Sequence, residues 1–175
     1  STGMFVDGVV YASIARNMAE GYGSFWRPYY TATTYPAFYG HPPFGLWLQS
    51  WALRLCGDAP VVETVWGCVL GLVIALGLAN IWRCLTPATV PLVGAWWPVG
   101  LWVLLPMTSW AVGNNMLETT LTVFVVLAVW LCLRGLQHPR LLGACVYEIG
   151  AALCLVAGGL TKGPVAFFPL VVPGC

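Results

Sequence analysis

Asp7, His41, Glu118 and Lys162 are two carboxylates, an imidazole and the only lysine of a 175-residue chain in which 7% of residues are charged. Together they could remove a proton from a nucleophile, position a polar substrate and neutralise a leaving anion. Each also has a plainer use. Asp7, just before Gly8 and a helical pattern, can serve as an N-cap. His41 precedes Pro42 and Pro43, so its backbone should be extended and its ring presented from a stiff loop. That ring can bind phosphate when protonated, ligate a metal or hydrogen-bond a carbonyl. Glu118 opens an apolar run, where the helix dipole favours a carboxylate, or it faces a bundle interior as a functional acid. Lys162 sits in Gly158-Gly159-Leu160-Thr161-Lys162-Gly163-Pro164, suited to holding a phosphate as a point charge. The Gly-x-x-x-x-Gly-Lys-Ser/Thr loop of nucleotide-binding proteins is absent.

The elements that must position these residues are apolar. Hydrophobic content is 59%, mean hydropathy +0.82, and there are ten tryptophans, which marks an integral membrane protein of all-α class. A net charge of +1 without clustered Lys and Arg excludes a nucleic-acid interface. Of the seven cysteines, Cys68, Cys132, Cys145 and Cys154 lie inside apolar runs and show no metal-type spacing, so they serve as small hydrophobes.

Residues 1–62 form the most polar part, expected to be an extracytoplasmic loop carrying two amphipathic interfacial helices. In the first, Val10, Tyr11, Ile14 and Met18 share one face, with Ser13, Arg16, Asn17 and Glu20 opposite and Gly21 and Gly23 as its end. A Tyr- and Pro-rich loop covers 26–40. In the second helix Leu48, Trp51, Ala52 and Leu55 should form the apolar face against Gln49, Ser50 and Arg54. From 63 to 175 the expectation is a transmembrane bundle with spans near 64–82, 89–106, 116–133 and 142–160, each close to the roughly 20 residues a bilayer requires. Pro98 should kink the second, and a fifth should begin near 165. Alternating crossings put Arg83, Arg134 and Arg140 on one side, cytoplasmic by the positive-inside rule. The same parity gathers Asp7, His41, Glu118 and Lys162 on the other. Arg16, Arg27 and Arg54 count against that orientation.

The ordered set Asp7-Gly8-Val9-Val10-Tyr11 with Ala15-Arg16-Asn17-Met18, then His41-Pro42-Pro43-Phe44-Gly45-Leu46-Trp47-Leu48, resembles the first extracytoplasmic loop of C-type membrane glycosyltransferases. Their protein O-mannosyltransferase and aminoarabinose transferase branch is the nearest likeness. Asn115-Met116-Leu117-Glu118-Thr119-Thr120-Leu121-Thr122-Val123-Phe124 is similar to the acidic start of a later span in that group, and Leu160-Thr161-Lys162-Gly163-Pro164 to its Lys-Gly-Pro turn. The likeness covers nearly the whole chain. In that family the loop acid is commonly Asp-Glu and the later motif Lys-Pro-Pro; here Gly8 and His41 stand in place of the second acid and the lysine.

The resemblance implies a preceding helix before Ser1, further helices after Cys175, and sugar transfer from a polyprenyl-phosphate donor to a lipid, glycan or protein acceptor with inversion. Asp7 would be the catalytic base. Lys162, with Arg27 and His41, would meet the donor phosphate, while Glu118, Tyr11 and Asn115 would position substrate. No cofactor is required, and a divalent metal held by Glu118 and His41 is left open. The expected location is the bacterial inner membrane, with the site on its extracytoplasmic face. A transporter or flippase of an anionic lipid-linked substrate is the alternative, and a structural membrane subunit a third possibility.

Overall fold

The computed structural model describes residues 4–33, 35–87, 89 and 91–170. It is helical apart from a two-residue hairpin, β1 (Gly23–Ser24) with β2 (Arg27–Pro28). Two helices, α1 (Val6–Ala19) and α2 (Phe44–Cys56), precede a bundle of α3 (Pro60–Leu85), α4 (Trp97–Leu104), α5 (Pro106–Gly113), α6 (Leu117–Leu136) and α7 (Leu141–Lys162). Short 3-10 segments cover Leu92–Trp96 and Pro164–Leu170. Three helices, within α3, α6 and α7, are long and apolar enough to cross a membrane. At 1.5 Å per residue they reach about 39, 30 and 33 Å, the thickness of a bilayer's hydrocarbon core or more.

The central element is α6. It packs on α3 through Leu70, Ile74, Val123 and Val126, with Gly77 giving Val126 its space, and on α7 along its other side. Small residues at such contacts let helix backbones approach where water supplies no hydrophobic drive. The outward face of α7 carries Leu142, Val146, Ile149 and Leu153, all exposed, as expected of a helix whose solvent is hydrocarbon.

The second crossing differs from the sequence expectation. Residues 92–113 run antiparallel to α3, since Ala95 and Val99 pack on Ala79, Trp102 lies by Gly71 and Val112 by Gly67. The path is a 3-10 turn and two eight-residue helices rather than one span over 89–106. Pro98 does not kink it, because it falls in the first turn of α4, where the missing N–H costs nothing. The break is at Leu105 (ψ 121°), extended as the residue before Pro106 should be. Most of the connection left between the expected spans 89–106 and 116–133 is accordingly α5. At the far end the chain turns at Gly163 (φ 85°), and Pro164–Leu170 folds back with Ala166 wedged against Gly158, Leu121 and Val125. The segment expected to begin a fifth span is thus a 3-10 turn over its described residues.

α1 and α2 pack together over the end of the bundle where α3 and α6 begin and α7 ends. The inward face of α1 is Tyr11, Ile14 and Met18 with Leu46 and Leu117, flanked by Val10, as its periodicity implies, and Gly21 and Gly23 follow it with positive φ. The buried face of α2 is mixed, with Leu46 and Leu53 beside two polar residues. Gln49 and Ser50 are buried, whereas Trp51 and Leu55 are exposed. Trp51 and Leu55 thus look outward, where an interfacial helix meets lipid and where tryptophan is favoured. Two arginines fasten this layer. Arg16 pairs with Asp58 and with Glu63 at 3.0 Å, and Arg54 donates to the Met18 and Ala19 carbonyls at 2.6 and 3.1 Å, capping α1.

Candidate functional site

Asp7 lies in the first turn of α1, with Phe5 as the N-cap residue and no side-chain cap. It is therefore not the cap its sequence position suggests, and its carboxylate is exposed. Tyr11 follows one turn later on the same face. The Tyr11 ring meets that of His41 at 5.8 Å, edge to face, and His41 also packs near Phe38 at 6.4 Å. Because α6 and α7 are antiparallel neighbours, the first turn of one meets the last turn of the other. Glu118 Oε1 accepts a hydrogen bond and ion pair from Lys162 Nζ there. The second carboxylate oxygen, Glu118 Oε2, is buried and has no hydrogen-bond partner among the described residues.

Close approach of backbones brings these groups into register. A side chain at Gly8 would collide with the Asn114 carbonyl oxygen, so the position beside Asp7 has no room for a second acid. Asn114 Oδ1 accepts from the Phe5 N–H at 2.6 Å, and Asn115 Nδ2 donates to the Gly8 carbonyl at 3.4 Å. Asp7 is thus bracketed by two tethered residues. Asn115 (φ 53°) adopts the left-handed conformation that asparagine tolerates, and it exchanges hydrogen bonds with Gln49 at 3.1 and 3.4 Å. In the His41-containing segment Gly45 plays the matching part. A Cβ there would lie 2.7 Å from Thr161 Cγ2 and 3.0 Å from Leu117 Cδ2. The neighbours of Asp7, His41, Glu118 and Lys162 in sequence are therefore the residues that pack the four elements together.

The electrostatics agree with this convergence. Burial, then the charges of Asp7 and Glu118, push the Tyr11 hydroxyl up to about 12, so it stays protonated as a neutral donor. Burial and then Lys162 hold His41 below its ordinary 6.5, with Glu118 and Asp7 opposing. At neutral pH His41 is uncharged, which leaves Lys162 as the cation among the charges acting on it.

Of the seven residues singled out by sequence, Asp7, Tyr11, His41, Glu118 and Lys162 share one field at one end of the bundle. Asn115 lies beneath them with its amide engaged by Gln49 and Gly8. Arg27 is exposed on β2 and is not among the charges acting on His41. Gly8, Gly45 and Gln49 read in the sequence as motif or helix-face positions, and their packing roles, with that of Asn114, emerge only in the structure. Among the described residues no group of three or more His, Cys, Asp or Glu is arranged to hold a metal ion, and Glu118 and His41 are two donors only. No protein-family model, curated protein or solved structure matches the chain.

Proposed function

We propose that the chain is the membrane module of an inverting glycosyltransferase that draws its sugar from a polyprenyl-phosphate donor. The observation that carries this reading is the meeting of an exposed carboxylate, a neutral tyrosine and imidazole, and a Lys–Glu pair at one end of a membrane bundle. A polyprenyl chain stays in lipid while its phosphate and sugar sit at the interface, where these groups lie. Asp7 takes the proton of the acceptor hydroxyl or amine as that atom attacks C1 of the sugar. The C1–O bond to phosphate breaks opposite, and the phosphate leaves with the electron pair. Its charge is met by Lys162, while Glu118 and Tyr11 position sugar or acceptor. General-base assistance of this kind is worth roughly 10² to 10⁴ in rate. The site belongs on the extracytoplasmic face, by the positive-inside rule applied to Arg83, Arg134 and Arg140. Two of the arginines that oppose that rule have structural uses, Arg16 in ion pairs and Arg54 as a cap.

The test is transfer of radiolabel from a polyprenyl-phosphate sugar in membranes containing the protein. Asp7→Asn should cut transfer by roughly 10² or more with donor binding retained. Undiminished transfer in that variant removes Asp7 from the mechanism. The broken crossing at Leu105–Pro106 is the feature that favours a transporter or flippase instead, since discontinuous helices recur in transporters. Movement of labelled lipid between leaflets, unaffected by Asp7→Asn and without covalent product, would select that reading.

A further inference from the structure

We infer that the cleft between α3 and residues 93–104, at the end of the bundle away from Asp7, binds an anionic phospholipid. Two cavities meet there. One, about 270 Å³, is lined by Leu76, Ala79, Asn80, Arg83, Ala95 and Trp96. The other, about 320 Å³, lies along α4 and is bounded by Trp96, Trp97, Gly100, Leu101 and Leu104 among others. Trp96 belongs to both walls, so a polar mouth continues into an apolar trough about 12 Å long at the rise of an α-helix. Arg83 is exposed and makes no ion pair among the described residues. Its planar fork of donors matches a phosphate diester. The rest of the lining is hydrocarbon and indole, apart from Asn80, whose amide donates to the Leu76 carbonyl at 2.7 Å.

One anionic group at a bundle end, followed by an apolar tail running along the helices, is the shape of a phospholipid. A soluble phosphate would leave the trough unused, whereas a phospholipid fills both the Arg83 mouth and the apolar trough with one molecule. Gly100 widens the trough, since a Cβ there meets no atom within 4 Å. The guanidinium selects phosphatidylglycerol-like headgroups over zwitterionic ones, because a choline would set a second cation beside Arg83.

Native mass spectrometry of the 175-residue protein, released from mixed phosphatidylglycerol and phosphatidylcholine nanodiscs, reads this directly. The wild type should retain phosphatidylglycerol with about tenfold preference, near 1.4 kcal/mol. Arg83→Gln should abolish the preference. Arg140→Gln, an exposed arginine elsewhere at the same end, should leave it intact. Gly100→Leu adds a side chain where a Cβ meets no atom within 4 Å and should lower retention of both lipids, which keeps the inference testable if the Arg83 variant misfolds. Equal retention by wild type and Arg83→Gln, or equal loss in Arg140→Gln and Arg83→Gln, overturns the site. So does inorganic phosphate displacing the lipid at millimolar concentration, since the trough would then add nothing.

Discussion

The ring of His41 is pulled by opposing charges, and the direction of its titration can be worked out. Burial and Lys162 disfavour the imidazolium, while Glu118 and Asp7 favour it, with the first pair prevailing. A histidine whose folded pKa lies below its unfolded value of 6.5 binds fewer protons when folded. Its contribution to stability is therefore complete above 6.5 and is lost as pH falls through the folded pKa. Lys162→Gln removes a cation and also releases Glu118 from its ion pair, and both changes act in one direction. The ¹⁵N titration of His41, one of two histidines in the chain, should move upward in that variant; an unmoved pKa would separate the lysine from the ring. Glu118→Gln tests the same pair from the other side. With its carboxylate partner gone, Lys162 is free for a phosphate, so polyprenyl-phosphate binding should tighten. The gain is up to about fivefold, because a partly exposed ion pair is worth about 1 kcal/mol at most. Weaker binding in this variant would mean that the pair assembles the site rather than competes with the ligand. Asp7, His41, Glu118 and Lys162 were legible because a charge in an apolar chain is costly and scarce. Gly8 and Gln49 were not, since a close backbone approach and a buried amide pair depend on partners 106 and 66 positions away.

Helices were easier to find than the faces they would bury. The existence of α1, α2, α3, α6 and α7 follows from period and hydropathy, and the inward face of α1 does too. In α2 the exposed Trp51 and Leu55 fit a helix lying in the interface, whereas the burial of Gln49 depends on a distant amide partner, Asn115, that helical period cannot show. The second crossing failed for another reason. Hydropathy averages over the Leu105–Pro106 break, which the proline marks by holding its predecessor extended. Element packing also predicts the cost of small substitutions. Gly8→Ala drives a methyl into the Asn114 backbone carbonyl, which cannot rotate away as a side chain would, so α1 must shift off the Asn114–Asn115 hook. Such overpacking costs roughly 1–3 kcal/mol and should lower the thermal unfolding temperature and displace Asp7. Gly21→Ala, where a Cβ meets no atom within 4 Å but φ is positive, should cost roughly the 1 kcal/mol of left-handed backbone and leave the site in place. Equal stability of Gly8→Ala and wild type would show that the hook does not bear on α1.

For the whole molecule, the side on which each residue lies is decided by how many times the chain passes through the lipid, and the broken segment 92–113 is the pass on which that number turns. α3 and α6 are long enough to cross unaided, whereas α4 and α5 have eight residues each and reach across only in sequence, about 24 Å between them with the 3-10 turn before α4 making up the remainder. The antiparallel register against α3, from Ala95 at Ala79 to Val112 at Gly67, carries the segment back along about 18 Å of that helix, and the expected outcome is a complete return. Between Cys56 and Arg140 there are then three crossings, an odd number, and the two positions face opposite compartments. If the segment instead dipped in and came back out, the number would be two and they would share one. Cys56 is exposed at the end of α2, so a variant retaining it as the sole cysteine, paired with another carrying only Arg140→Cys, decides the matter with a membrane-impermeant maleimide. In sealed right-side-out vesicles one of the two should react before lysis and the other only after it. Labelling of both from the same face would move Glu118 and Lys162 to the compartment opposite Asp7 and His41, and would dissolve the site along with the crossing.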